Sequence, residues 1–443
     1  MAIGGEFDRR TYRGIGPHPS DPRGADAAAR VVDLIRSAVP GVVAEHVGST
    51  AVPGLEGKNV IDIQITAEPD DVPRITTALL RIGFERQRGP DPWPPERPML
   101  EGTIEHDGAV FGIHCHIVPT TDPDVRQMIA FRDLLRADRS ALETYANEKH
   151  RIAAATEDPL EYTDAKADLI NRLLEDAEVR AVYEAGAELD RLDRPLGLVE
   201  FERTKEILGR NLPARAAADI ADIGGGPGRY SIWLAGLGYR VVHRDVTTLH
   251  VERIRTDAVA AGVVIDAGVA DARSLDLADA SMDAVLLLGP LYHLKRKDDR
   301  FRAFMEARRV ARPGAVVFVA AISRWAARLH GILVDQIYES LPEVLSLIPA
   351  VERTGRLPTL FEGSFSAYCH RPAELRDEAS EAGLEVLDLV NVEGIAFAVP
   401  GLEERLRDER SRRVLFDALR ALERVPELLG VGPHLLLTAR VPA

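Results

Sequence analysis

The chain has 443 residues, 46% of them hydrophobic, and a formal net charge of −15. That length suggests two or three domains, and that apolar content can bury two sizeable cores, which excludes a disordered or fibrous chain. The acidic balance argues against a nucleic-acid substrate, and no apolar run approaches the ~18 residues of a membrane span, so no membrane partner is expected.

Two cysteines, Cys115 and Cys369, give no disulfide framework, and no basic segment followed by an apolar core opens the sequence. No signal peptide is therefore expected, and the reading is a cytoplasmic protein in a reducing compartment. The first informative stretch is EHVGSTAVPGLEGKNVIDIQI, residues 45–65. Gly48-Ser49-Thr50 offers a flexible turn, two hydroxyls and backbone donors, by which a small loop can hold a phosphate. In the strand pattern that follows, Ile61, Ile63 and Ile65 share one face while Asp62 and Gln64 share the other, because side chains alternate along a strand. One face packs and the other faces a site.

The alternation returns in FGIHCHIV, where Phe111, Ile113, Cys115 and Ile117 alternate with Gly112, His114, His116 and Val118. It follows a hairpin signal at Asp107-Gly108, a dipeptide that tolerates positive φ. His114 and His116 point the same way and can share a divalent metal, with Asp62 as a third ligand if the two strands are neighbours. The competing reading is that these histidines hydrogen-bond to one another or to a carboxylate.

With FRDLLRADRSALETYANEKHRIA (Phe131 to Ala153) and YTDAKADLI (Tyr162 to Ile170), these stretches resemble the GrpB-like family of the polymerase-beta-type nucleotidyltransferase superfamily. The resemblance spans most of residues 40–175 and implies an α+β nucleotidyltransferase-like domain over residues 1–176, with a nucleotide as candidate ligand. The superfamily places a triphosphate on the glycine-serine turn and two divalent ions on a D-x-D strand with a further carboxylate. Here Gln64 stands in the place of the second aspartate, and a neutral amide does not replace a carboxylate as a magnesium ligand. Two alternatives stay open: a working nucleotidyltransferase, which would make the chain bifunctional, and a non-catalytic binding or scaffolding module. Lys166 is either a phosphate contact or a solvated charge beside Asp164 and Asp168.

The domain boundary is expected near residues 176–182, with a helical join because no serine- or glycine-rich tether is present. Further on, DIADIGGGPGRY (Asp219 to Tyr230) is a short strand running into a glycine-rich turn. Gly224, Gly226 and Gly228 let the backbone turn sharply and let a ligand approach it. A dinucleotide turn would need a third small residue where Arg229 stands, so a nicotinamide cofactor is disfavoured. Asp222, at the strand end, suits a cofactor that carries its own ammonium group. Apolar runs at 218–223, 239–244, 263–269, 283–288 and 315–321 alternate with helical patterns, as a sheet buried on both faces requires, and two more strands follow near 385–391 and 434–440.

This pattern resembles motif I of the class I S-adenosylmethionine-dependent methyltransferases. The resemblance implies an α/β domain over residues 181–443, a doubly wound, mostly parallel seven-stranded Rossmann-like sheet, with S-adenosylmethionine as cofactor and a small-molecule methyl acceptor. By resemblance the cofactor set is Asp222, Gly224, Gly226, Gly228, Asp245, Asp271 and Gly289, with Asp245 on the ribose hydroxyls and Asp271 by the adenine. Gly289-Pro290-Leu291-Tyr292-His293 would line the point of methyl delivery, with Tyr292 or His293 as candidate base. The structural alternatives are a tight strand-to-helix turn for the glycines, a helix N-cap for Asp245, a turn cap for Asp271 and a structural or exposed histidine for His293. A helical lid is expected over about 322–384, where FEGSFSAYCHRP offers Tyr368 and His370 either as substrate contacts or as structural residues.

Overall fold

The period-two patterns of the N-terminal third become the strands of one five-stranded sheet in the computed structural model, which describes residues 3–4, 18–87, 93–186, 188–214, 217–360 and 364–443. Phe361-Glu362-Gly363 of the expected lid therefore lies outside the described residues. The chain divides into two compact units, Met1–Ala177 and Glu178–Ala443, and the division falls within the helix Pro159–Glu184.

In the first unit the strands are β1 (Val43–Val47), β2 (Val60–Ala67), β3 (Glu85–Arg86), β4 (Met99–His106) and β5 (Ala109–Pro119), in the order β1-β2-β5-β4-β3. β2 and β5 run parallel at the centre, and their register sets Asp62 opposite His114 and Gln64 opposite His116. Asp107 and Gly108 take positive φ, 47° and 76°, and close the β4–β5 hairpin. Ile61, Ile63, Ile65, Ile113, Cys115 and Ile117 have no exposed surface and pack with apolar residues of the helices Gly24–Ala38 and Val72–Arg81. Burial of each such isoleucine contributes about 1.5–3 kcal/mol, so the apolar face decides which way the sheet turns and leaves Asp62, His114 and His116 on the other face.

The second unit carries β6 (Asp219–Ile223), β7 (Arg240–Asp245), β8 (Ile265–Val269), β9 (Met282–Leu287), β10 (Ala311–Ser323), β11 (Arg356–Leu357), β12 (Ala367–His370), β13 (Glu385–Asn391) and β14 (His434–Arg440). Seven of them form a doubly wound sheet ordered β8-β7-β6-β9-β10-β14-β13, with β14 antiparallel to both neighbours. Strand order reverses between β6 and β9, and in such sheets the crevice beyond the carboxyl ends at that switch point is where a ligand is held. Its core is built from both faces of the central strands, including Val285, Leu287, Val317, Val319 and Phe304 on one side and Ile220, Leu286 and Phe318 on the other.

The insertion after β10 is not helical throughout. It holds the helices Ala326–Leu333 and Pro342–Thr354, then β11 and β12, before the helix Pro372–Glu381. β12 pairs parallel with the end of β10, Cys369 opposite Ile322, and with β11 on its other side brings the sheet to nine strands. Among the described residues no helix is long and apolar enough to cross a membrane.

Candidate active site

The glycine turn after β6 is crowded at every glycine but Gly226. Its three expected glycines all take left-handed φ, 65° at Gly224, 59° at Gly226 and 86° at Gly228. A Cβ on Gly224 would meet Pro290 Cγ at 2.4 Å, and one on Gly289 would meet the Gly224 carbonyl at 2.4 Å, so the loops after β6 and β9 touch through hydrogen-only positions. Gly225, which the spacing argument passes over, is equally constrained: its Cβ would stand 2.6 Å from Asp222 Oδ2 and 2.7 Å from His243 Cε1.

Asp222 is completely buried. Its Oδ2 accepts a hydrogen bond from Ser231 Oγ at 2.6 Å, while Oδ1 has no partner among the described residues. Asp245, at the end of β7, pins the turn: Oδ2 accepts from the Gly226 N–H at 2.9 Å, and Oδ1 lies 2.8 Å from the Thr247 N–H and 3.2 Å from His250 Nδ1. Burial pushes its carboxyl up, but His250 and the Thr247 N–H outweigh this and hold it below the ordinary value. Asp271 accepts from its own Arg273, at 2.8 Å from the backbone N–H and 2.6 Å from the guanidinium, in the manner of a turn cap.

Tyr292 and His293 follow β9 in a short 3-10 turn. His293 Nε2 lies 2.7 Å from the Tyr183 hydroxyl, and its Nδ1 has no partner among the described residues. Burial lowers its pKa to about 3, so the ring is neutral at ordinary pH; burial also pushes the Tyr292 phenol up. Tyr183 and Phe365 pack on His293 with centroids 5.1 and 5.4 Å away, and Tyr183 also reaches His250 at 5.5 Å.

An ionised cluster adjoins this aromatic group. Glu188 Cγ lies 3.5 Å from where a Cβ on Gly226 would sit. Arg191 bridges Glu188 at 2.8 Å and Glu200 at 2.9 Å. His434 Nδ1 is hydrogen-bonded to Glu393 and stands 3.7 Å from Glu200. Burial opposes a charge on His434, but Glu393 and Glu200 overcome it and raise its pKa to about 9. The ligand atoms of Glu200, Glu393 and His434 all lie within 4.8 Å of one another, close enough to hold an ion, yet the imidazole nitrogen is occupied by that hydrogen bond and Glu200 by Arg191.

In the first unit, Asp62 Oδ1 lies 3.5 Å from His114 Nδ1 and 3.9 Å from His116 Nε2. Burial pushes the Asp62 carboxyl up, but the two imidazoles outweigh it and hold the group well below the usual carboxylate range. Gln64 is buried and donates from Nε2 to the Val125 carbonyl at 2.6 Å. In the turn, Thr50 Oγ1 donates to the Val60 carbonyl at 3.1 Å and meets His46 Nε2 at 2.9 Å, and a Cβ on Gly48 would strike Asp62 Oδ2 at 2.2 Å.

The family model for GrpB protein matches residues 17–176, and the model for the methyltransferase domain matches residues 221–319. A UPF0157 protein of Pseudomonas aeruginosa is 32% identical over 221 residues, which cover 47% of this chain and 82% of that protein. The chain belongs to the GrpB family. Its GrpB domain is fused to a methyltransferase domain, and over 108 residues the chain is 36% identical to a ubiquinone/menaquinone biosynthesis C-methyltransferase of Acidiphilium cryptum, covering 24% of this chain and 42% of that enzyme. A SAM-dependent methyltransferase structure from Methanosarcina mazei, 20% identical, aligns with 53% of this chain and 97% of that one at a TM-score of 0.38.

In this GrpB fusion the structure gathers residues that motif spacing does not single out. Tyr183, Glu188 and Arg191 precede the first strand of the methyltransferase domain, while Glu393 and His434 come from its end. A Glu-x-x-Arg spacing at 188–191 was the one local signal, and nothing in it names partners so distant. Tyr368 and His370, read as substrate contacts or structural residues, lie in an ionic network. The Arg300 guanidinium sits 3.6 Å from the Tyr368 centroid, and His370 Nε2 lies 3.3 Å from Glu378, which Arg300 also holds at 2.6 Å.

Proposed function

We propose that the methyltransferase domain transfers the methyl group of S-adenosylmethionine to a small-molecule acceptor. The observation that carries this reading is a set of buried polar atoms without partners around the switch point: Asp222 Oδ1, Thr247 Oγ1, His250 Nε2 and His293 Nδ1. An unpaired buried group costs about 1–3 kcal/mol, and such groups persist where a ligand completes them. Gly224, Gly225 and Gly228 of the turn beside them are closed off by protein atoms, whereas Gly226 meets only Glu188 Cγ at 3.5 Å, which leaves its backbone as the place for a cofactor to lie against the turn.

When bound, the cofactor supplies an activated methyl group on a sulfonium. The protein then has chiefly to orient, to exclude water and to receive a proton where the acceptor has one to lose. Asp222 and Asp245 would hold the cofactor's polar groups through the turn, and Asp271, already tied to Arg273, would close the adenine end. Tyr292 and His293 would shape the reacting end. With His293 held neutral at so low a pKa, its role as base is best suited to a nucleophile that gives up a proton only as it is methylated.

Calorimetric titration with S-adenosylhomocysteine tests the reading. Saturable binding is expected, weakened roughly tenfold or more by Asp245→Ala because charged hydrogen bonds contribute about 1.5–3 kcal/mol. Absence of any binding to the unmodified chain would reduce the turn to architecture. For the GrpB domain, Asp62 between two histidines favours a second, metal-dependent activity, and the seating of Gln64 on Val125 favours a binding module. Magnesium- and nucleotide-dependent turnover abolished by Asp62→Ala would support the activity, and no turnover would support the module.

A further inference from the structure

Glu188 follows the helix Pro159–Glu184, ahead of β6 and outside every motif of the methyltransferase domain, yet it stands at the glycine turn. Gly224, Gly225 and Gly228 are closed off by Pro290, Asp222 and Ile254, which leaves Gly226 as the open position of that turn. The atom nearest to a Cβ there is Glu188 Cγ, at the ordinary contact distance of 3.5 Å. Glu188 keeps 18% of its side chain exposed, whereas Asp222 has no exposed surface and lies behind Gly225. The carboxylate on the open side of the turn is therefore that of Glu188.

Its orientation is fixed. Both oxygens accept from Arg191 Nε at 2.8 Å, and the same guanidinium holds Glu200 at 2.9 Å. A carboxylate offers about four lone-pair sites, so Glu188 keeps acceptor capacity that Arg191 does not use. Among the described residues the three carboxylates of Glu188, Glu200 and Glu393 share two cations, Arg191 and His434, and one negative charge is left over in a largely buried cluster. Burial pushes the Glu188 carboxyl up, and Arg191 offsets this only in part. Such an excess is costly until a further cation joins it. Tyr183 and Tyr292 feel the Glu188 charge, which sets it beside the aromatic group at the point of methyl delivery.

We propose, on the reading that this domain binds S-adenosylmethionine, that Glu188 receives the ammonium group of the cofactor at the open side of Gly226. Arg191 is then a positioning residue, and Asp222 supports the turn from behind. The cofactor carries two cations, and the chemistry of the carboxylate selects between them. A sulfonium has no N–H to donate, whereas an ammonium has three donors for the unused lone pairs of Glu188.

The test is calorimetric titration of the full chain with S-adenosylhomocysteine and with its des-amino analogue, which lacks only the ammonium, on the unmodified protein and on Glu188→Gln and Glu188→Asp. The unmodified protein is expected to bind S-adenosylhomocysteine at least about tenfold more tightly than the analogue, as a charge-assisted hydrogen bond implies. Glu188→Gln should lose that preference by weakening S-adenosylhomocysteine alone, while Glu188→Asp, which keeps the charge, should retain part of it. An analogue that does not saturate at millimolar concentration counts as the weaker ligand, and the contrast between the Gln and Asp variants then decides. A merely structural role would weaken both ligands alike and would overturn the proposal. So would equal affinity for the two ligands in the unmodified protein, or a preference that survives in Glu188→Gln; in each of these cases the cofactor reading itself stands. If neither ligand binds the unmodified chain, that reading falls and the role of Glu188 falls with it.

Discussion

Glu393 and Glu200 keep a proton on His434, and that single proton couples the stability of the methyltransferase domain to pH. The folded pKa of about 9 exceeds the ordinary 6.5, so the stabilisation is complete below about pH 6.5 and is lost as pH rises through about 9. A shift of that size corresponds to about 3 kcal/mol. Denaturant unfolding between pH 6 and pH 10 should show this decline in the unmodified protein and a flatter profile in Glu393→Gln. The turn offers a second test at the same scale. Gly225→Ala drives a Cβ into Asp222 and His243 and should cost about 1–3 kcal/mol and weaken S-adenosylhomocysteine binding, whereas Gly226→Ala meets nothing closer than Glu188 Cγ at 3.5 Å and should cost only its left-handed strain, about 1–2 kcal/mol. Melting temperatures and calorimetry of the two variants decide it. Gly224, Gly226 and Gly228 were legible from spacing alone; Gly225 was not, because its constraint comes from His243 on a neighbouring strand.

At the level of elements, alternation carried most of the reading. Every expected strand of the second sheet is present, and the isoleucines of β2 and β5 choose the buried face as their period implies. The insertion was harder, because Ala367 to His370 is too short to be told from loop until it pairs with the end of β10. There His370 is buried against Glu378, while Tyr368 is half-buried under Arg300. Breaking a buried pair by removing one partner costs about 3–5 kcal/mol, so Glu378→Ala should lose stability of that order with S-adenosylhomocysteine affinity unchanged. An equal loss of affinity, read by calorimetry on the folded variant, would return this network to the site.

For the whole molecule, the division into Met1–Ala177 and Glu178–Ala443 predicts separable responses to ligands. A ligand that binds only the folded form stabilises by about 2.7 kcal/mol at a hundredfold excess over its dissociation constant, so S-adenosylhomocysteine should raise one of two calorimetric transitions and leave the other in place. A single transition raised as a whole would mean that the units unfold together. By itself the sequence determined the two sheets, their faces and the glycine turn, because periodicity and turn chemistry act between residues a few positions apart. Only the tertiary structure decided which charges meet: Lys58 and Lys166 over the Tyr162 ring, and Glu200 and Glu393 closing on His434 from opposite ends of one domain. Those encounters depend on strand order and helix placement, which join segments that no local pattern connects.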